Sequence, residues 1–125
     1  MDKFSFENLE VYGLVRRLVV KVYGIIHKLP ATEKFALSSQ LQRSIVSVLS
    51  NIAEGSGRIS IKEKIHFIEI SYGSLMEAYA QLQICCDLNY INEECLKVIK
   101  QDFFRISLLL SGLRKSFVKK ISIDS

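Results

Sequence analysis

Eight apolar residues, Ile61, Ile65, Ile68, Tyr72, Leu75, Tyr79, Leu82 and Cys86, follow one another at alternating steps of four and three. That interval keeps side chains on one side of an α-helix and scatters them on a strand, so the middle of the chain is predicted to be one long helix with a single buried stripe. Shorter versions of the pattern flank it. Val11, Val15, Leu18, Val22, Ile25 and Leu29 predict helix over 6–29, and Leu41, Ile45, Val48 and Ile52 over 33–54. The central helix spans 61–88, and Leu96, Ile99, Phe103, Ile106, Leu110, Leu113 and Phe117 predict a fourth over 93–119. Short connections make neighbouring helices antiparallel, so the expected fold is all-α, an up-down-up-down four-helix bundle in one domain.

The punctuation agrees with this division. Ser5 and Thr32 are expected to cap the first two helices, and Pro30 to close the first. Gly55-Ser56-Gly57 offers residues that tolerate positive φ at the end of the second. Ser60-Ile61-Lys62-Glu63 matches the capping box, in which the serine and the glutamate three residues on satisfy free backbone donors. Asn89-Tyr90-Ile91-Asn92 forms the last turn, with Asn92 as the fourth cap, and the tail after 120 is expected to fray.

A chain of 125 residues that is 49% hydrophobic and 24% charged has enough apolar surface for one core and is not composed like a disordered segment. Its longest apolar runs, at 18–20 and 108–110, are far too short to cross a bilayer. The first residues lack the basic start and apolar stretch of a secretory signal, so a cytoplasmic location with no membrane partner is expected. Three cysteines, Cys85 and Cys86 being adjacent, suit neither a disulfide framework nor a paired metal layout and read as reduced hydrophobic residues.

The net charge of +4 is unevenly spread. Positions 11–32 hold Arg16, Arg17, Lys21 and Lys28 without an acid; positions 103–123 hold Arg105, Arg114, Lys115, Lys119 and Lys120, again without one. All of these except Lys28 are taken as candidates for binding nucleic-acid backbone. Helix 1 also carries a second apolar set, Tyr12, Val19 and Ile26 with Leu14, Val20 and Tyr23, and helix 4 adds Phe104, Leu108 and Leu109. The excess over one core stripe is either a wide core stripe with scattered exposed apolar residues or, the favoured reading, a subunit interface.

Catalytic templates fail one after another. A di-metal bundle needs two Glu-x-x-His motifs, and Glu63 to His66 is a lone copy, since His27 has Gly24 where the carboxylate belongs. Arg58 and His66 are separated by seven residues, outside the spacing of HEPN-type nucleases. No Gly-flanked nucleophile elbow, phosphate-binding Gly-x-x-x-x-Gly-Lys loop or Gly-x-Gly-x-x-Gly fingerprint is present. No enzyme activity, cofactor or metal is expected.

Polar residues remain on the two middle helices. Ser44, Ser47, Asn51 and Glu54 recur at three, four and three beside the second helix's apolar seam, as a solvated face or as a line of close contact. Gly73 and Ser74 in mid-helix favour contact, because an exposed Gly costs about 1 kcal/mol against Ala there. Antiparallel pairing about Gly57 brings Arg43 level with Ser74 and Glu77, which predicts a partly buried Arg43 to Glu77 ion pair.

At these residues the chain resembles the four-helix-bundle proteins named for the 23S rRNA intervening sequences that encode some of them. The matching pieces are Gln42-Arg43-Ser44, Ser47, Asn51-Ile52-Ala53-Glu54-Gly55, Gly57-Arg58 and Ser60, then Gly73-Ser74-Leu75 with Glu77, and Leu88-Asn89-Tyr90-Ile91. They fall within residues 8–118. The chain departs from its relatives at Gln42 and at Ala78-Tyr79. The resemblance implies a homopentamer in which Arg43, Ser47, Asn51, Glu54, Gly55, Gly73, Ser74 and Glu77 serve structure or assembly. It also implies a distant relationship to the accessory proteins of diversity-generating retroelements, basic pentamers that engage a reverse transcriptase and nucleic acid. Two functions are therefore expected to compete: a basic homo-oligomer that binds RNA or DNA backbone, and an interaction scaffold for a nucleic-acid enzyme such as a reverse transcriptase.

Overall fold

Four helices form where the periodicity places them, and their ends show which local signals the chain uses. The computed structural model describes residues 2–124, with side chains described for 2–121. The helices are α1 (Glu10–Ile26), α2 (Leu37–Ser56), α3 (Ile61–Asp87) and α4 (Glu93–Asp124). Two caps form: Ser60 Oγ accepts the Glu63 N–H at 3.3 Å, the serine half of the expected capping box, and Asn92 Oδ1 accepts the Cys95 N–H at 2.8 Å.

Other boundaries differ. Ser5 does not cap α1; it opens a 3-10 turn, Ser5–Asn8, held by the Phe4 N–H on Glu7 Oε1, and the extended Leu9 separates that turn from the helix. Residues 27–29 tighten into a turn ahead of Pro30. Thr32 lies inside a second 3-10 turn, Ala31–Glu33, and the side chain one residue on serves α2 instead, because Glu33 Oε2 accepts the Leu37 N–H at 3.3 Å. No described glycine has positive φ, so Gly55 and Gly57 do not act as left-handed stops. That conformation belongs to Asn89, φ 65°, which closes α3: the Tyr90 N–H reaches Cys85 O and the Asn89 N–H reaches Cys86 O, each at 2.9 Å. These two bonds are the Schellman pattern, which satisfies carbonyls left open by the end of a helix. In place of the expected fraying, α4 continues past 119 to Asp124, and Ser125 lies outside the described residues.

α1 packs on α2 and α4, and α3 packs on the same two, while α1 and α3 sit diagonally, with no Cα atoms within 8 Å of each other among the described residues. Cross-links give the directions. Ser44 meets Gln81 and Val48 meets Ser71, so α2 and α3 are antiparallel. Leu9 lies near Leu113 and Phe117, and Lys28 near Cys95, so α1 and α4 are antiparallel too.

The core holds the predicted stripes of α1, α2 and α4 around Leu18, Leu41, Ile45, Ile106 and Leu110, all fully buried. On α3 the stripe is turned by one residue at three places: Ser71, Ala78 and Cys85 are buried, whereas Tyr72 is exposed and Tyr79 and Cys86 are half-buried. Size explains the turn. Small residues at a seven-residue repeat let α2 approach α3 closely, and the tyrosines are displaced toward α4, where Tyr79 meets the Phe103 ring at 5.5 Å. Most of the second apolar stripe of α1 is absorbed as well. Ile26 is buried, and Tyr12, Leu14, Val19 and Tyr23 pack against the core, as does Leu109 of α4. What remains exposed of that set is Val20, Phe104 and Leu108, at 71%, 62% and 59%.

Candidate functional site

The polar stripe of α2 divides: Ser44 and Ser47 make contact with α3, whereas Asn51 bonds within its own helix and Glu54 is exposed. Ser44 Oγ donates to Gln81 Oε1 at 2.7 Å, Ser47 and Ser74 share a hydrogen bond of 2.8 Å, and Ser71 donates to the Val48 carbonyl at 2.7 Å. Asn51 Nδ2 donates to the carbonyl and hydroxyl of Ser47, and toward the end of the seam Lys64 Nζ donates to the Ser56 carbonyl. Gly55 completes it: a Cβ there would stand 2.8 Å from the Phe67 Cβ, closer than two carbons pack. Gly55 is thus a packing residue that admits α3. Ser71, Ala78 and Gln81 also belong to the seam, although a search for apolar side chains passes over Ser71 and Gln81 and favours the tyrosine beside Ala78. The signal for Ser71 and Ala78 in the sequence is the seven-residue repeat of small residues at 71, 78 and 85; Gln81 lies outside that repeat.

Two expectations fail at the same seam. Arg43 and Glu77 are level, as antiparallel pairing requires, yet Glu77 is exposed, Arg43 also faces outward, and neither joins an ion pair among the described residues. Ser44, the next residue, takes the inward position, and Glu77 accepts from Gln81 at 3.3 Å instead. Gly73 faces outward, with nothing within 4 Å of a Cβ built there, so Ser74 alone of that pair makes the contact with α2. Glu54 is also exposed and holds Arg58 at 2.9 Å on its own side of the helix.

The eight basic candidates divide sharply. Lys21 pairs with Asp102 at 2.8 Å, Arg105 with Glu10, and Arg114 with Glu69 at 3.0 Å. Glu10 and Asp102 each sit one residue outside an acid-free stretch, so cross-helix geometry neutralises charge that the linear sequence leaves uncompensated. Arg105 turns toward α1 and Arg114 toward α3, on opposite sides of the α4 core stripe. The other five, Arg16, Arg17, Lys115, Lys119 and Lys120, are exposed with no acid partner among the described residues. They form two groups. Arg16 and Arg17 stand midway along α1, beside a groove of about 550 Å³ that includes Gly13, Val20 and Lys21. Lys115, Lys119 and Lys120 occupy the last turns of α4, with Lys120 over the Phe117 ring at 5.1 Å.

Among the described residues no three His, Cys, Asp or Glu side chains are grouped to hold a metal ion. His66 is exposed and edges against Phe67. Burial, aided by the negative charge of Glu33, pushes the Cys85 thiol up to about 11; burial also raises Cys86, with Glu93 and Asp87 adding to it. Tyr90 is raised by burial and then by Glu33, which accepts its hydroxyl at 3.4 Å. Thiols held protonated are poor nucleophiles. No helix among the described residues is long and apolar enough to cross a membrane.

A comparison with curated proteins gives no match. Among solved structures, the chain is similar to a protein of unknown function from the S23 ribosomal protein family of Bacteroides thetaiotaomicron. The two share 25% identity and a TM-score of 0.78, over 84% of this chain and 95% of that one. Residues 7–112 match the model of the 23S rRNA-intervening sequence proteins, which takes in the α2 and α3 seam and most of α4. With that span and the shared four-helix architecture, the chain belongs to the 23S rRNA-intervening sequence protein family.

Proposed function

We propose that this chain is a non-enzymatic, homo-oligomeric bundle, a pentamer by family resemblance, that binds nucleic-acid backbone through basic residues of α4 and α1. One observation carries the reading: the cations without an internal acid partner among the described residues include three within six residues at the end of α4, Lys115, Lys119 and Lys120. Lys115 and Lys119 are one helical turn apart on the same side, a spacing at which both can face one polyanion. Phosphate contact is assigned chiefly to these three. Lys21, Arg105 and Arg114 take a lesser part, because each already satisfies an acid of its own bundle.

No regular alternation of aromatic and basic side chains accompanies the lysines, so the reading is of backbone contact without base recognition. Repetition of the same lysines around an oligomer converts weak single contacts into useful affinity through effective concentration. Mobility shift with short RNA and DNA duplexes tests it. Binding at about 50 mM salt that fades by about 200 mM is expected. Absence of binding at the lower salt, or binding indifferent to salt, refutes the reading.

A second reading, an accessory subunit for a nucleic-acid enzyme such as a reverse transcriptase, is favoured by Phe104 and Leu108. These two large apolar side chains lie one turn apart, exposed on α4. Capture of such an enzyme that survives nuclease treatment and is abolished in Phe104→Ser supports it; capture that nuclease abolishes returns the decision to the first reading.

A further inference from the structure

The outward faces of α1 and α3 are complementary, and the bundle holds them on opposite sides of itself. The outward face of α3 is apolar and acidic. Ile70, Met76, Ile84 and Leu88 are exposed there, around a Gly73 whose missing Cβ no internal neighbour requires. From 65 to 96 the chain contains Glu69, Glu77, Asp87, Glu93 and Glu94 and no Lys or Arg. Glu77 and Asp87 have no cation partner among the described residues. A helix that is apolar on both its inner and outer faces is ordinarily covered on both.

The outward face of α1 is the reverse in charge and shape. Val20 stands exposed between Gly13 and Gly24, and nothing lies within 4 Å of a Cβ at Gly24. The backbone is therefore open on the Gly24 side of Val20, while at Gly13 the Arg17 guanidinium comes within 3.7 Å of a Cβ built there. Two hollows lie along this face: one of about 550 Å³ beside Arg16 and Arg17, and one of about 420 Å³ between α1 and α4, beside Gly24, Lys28 and Val98 and walled in part by Glu94 and Asp102. A mid-helix glycine costs about 1 kcal/mol against alanine, and the bundle's own packing gives no return for Gly73, nor for Gly24 in the last turn of α1.

We infer that α3 of one copy seats its outward face on the outward face of α1 of a second copy. Ile70, Met76 and Ile84 fill the glycine-lined hollows, and Glu77 and Asp87 face Arg16 and Arg17. α1 and α3 are diagonal, so no copy can satisfy both of its faces with one partner. The contact is head-to-tail, and repetition of such a contact closes a ring or extends a filament. This rests on the reading of the chain as a self-assembling bundle and adds to it which surfaces meet. It also gives Arg16 and Arg17 a role in assembly, leaving the α4 lysines for phosphate.

Charge reversal of the full chain tests the pairing, with mass measured by sedimentation equilibrium and folding checked by circular dichroism. R16E/R17E and E77K/D87K are each expected to remain helical and to associate at least about tenfold more weakly, because each sets like charges against each other. The fourfold variant R16E/R17E/E77K/D87K is expected to assemble as the parent does, since its charges oppose again. Half-reversed variants that assemble like an oligomeric parent overturn the pairing and leave self-assembly standing, as does a fourfold variant no better associated than either half. A parent that stays at 14.3 kDa at all concentrations removes self-assembly itself.

Discussion

Gly55→Ala isolates the close approach of α2 and α3. The added Cβ would lie 2.8 Å from the Phe67 Cβ and 3.7 Å from the Lys64 carbonyl oxygen. Carbon atoms pack at about 3.5–4.0 Å, so relief requires the helices to part by about 1 Å at this end. No rotamer change helps, because the Phe67 Cβ is fixed to its backbone. Separation also strains the hydrogen bonds that span the seam, Lys64 to the Ser56 carbonyl and Ser71 to the Val48 carbonyl, at 3.1 and 2.7 Å. Overpacking costs about 1–3 kcal/mol and a weakened buried hydrogen bond adds up to about 1 kcal/mol. Against this, alanine gains about 1 kcal/mol of helix propensity over glycine. These terms span a loss of about 0–3 kcal/mol, centred near about 1.5 kcal/mol, roughly 4–8 °C in Tm for a chain of this length. Thermal and urea unfolding followed by far-ultraviolet circular dichroism measures it, at one fixed protomer concentration because assembly adds a mass-action term. Gly112→Ala is the matched control: it sits inside α4 with nothing within 4 Å, so propensity acts alone and stability is expected to rise by up to about 1 kcal/mol. A Gly55→Ala protein that gains stability as Gly112→Ala does refutes the close-packed seam.

Ser71→Ala is expected to lower unfolding free energy by about 1 kcal/mol, through removal of a fully buried hydrogen bond to Val48. Urea titration with an unchanged slope checks it. Arg43→Ala is expected to change stability by less than about 0.5 kcal/mol, since Arg43 faces outward and joins no ion pair among the described residues; a loss near the roughly 3 kcal/mol typical of a broken buried pair contradicts the observed geometry. The raised Cys85 thiol holds its proton more tightly when folded than when unfolded, so its stabilising contribution is complete below about pH 9 and disappears between the unfolded value of 9.0 and about 11. Urea midpoints measured from pH 8 to 11 are expected to fall across that window, and less so in Cys85→Ala.

Much of the fold is legible in residue spacing, because helix formation and burial obey a local period. The stripes of α1, α2 and α4 follow directly, as do the caps at Ser60 and Asn92. On α3 the apolar spacing points one residue away from the buried position at Tyr72, Tyr79 and Cys86, since hydrophobicity ranks tyrosine above serine or alanine. The seam with α2 instead selects for small volume, at Ser71 and Ala78. Ser5 and Thr32 have the chemistry of caps, but the chain enters α1 through Leu9 and α2 through the Glu33 carboxylate, which depends on turn geometry. The interaction residues are less legible still. Arg43 has the right height and the wrong azimuth for Glu77, and Glu10, Asp102 and Glu69 reach cations from other helices. Pairing of charge is a tertiary property, so acid-free stretches of sequence overstate the free charge of α1 and α4.

The central claim is tested most directly by comparing the salt dependence of nucleic-acid binding for the parent and for K115Q/K119Q/K120Q, on one DNA duplex. Logarithmic affinity against logarithmic salt is expected to be linear for the parent and shallower in the variant by about 0.9 for each phosphate no longer neutralised, with affinity reduced at every salt concentration and the assembled mass unchanged. Identical slopes and affinities for the two proteins would contradict the assignment of phosphate binding to the end of α4.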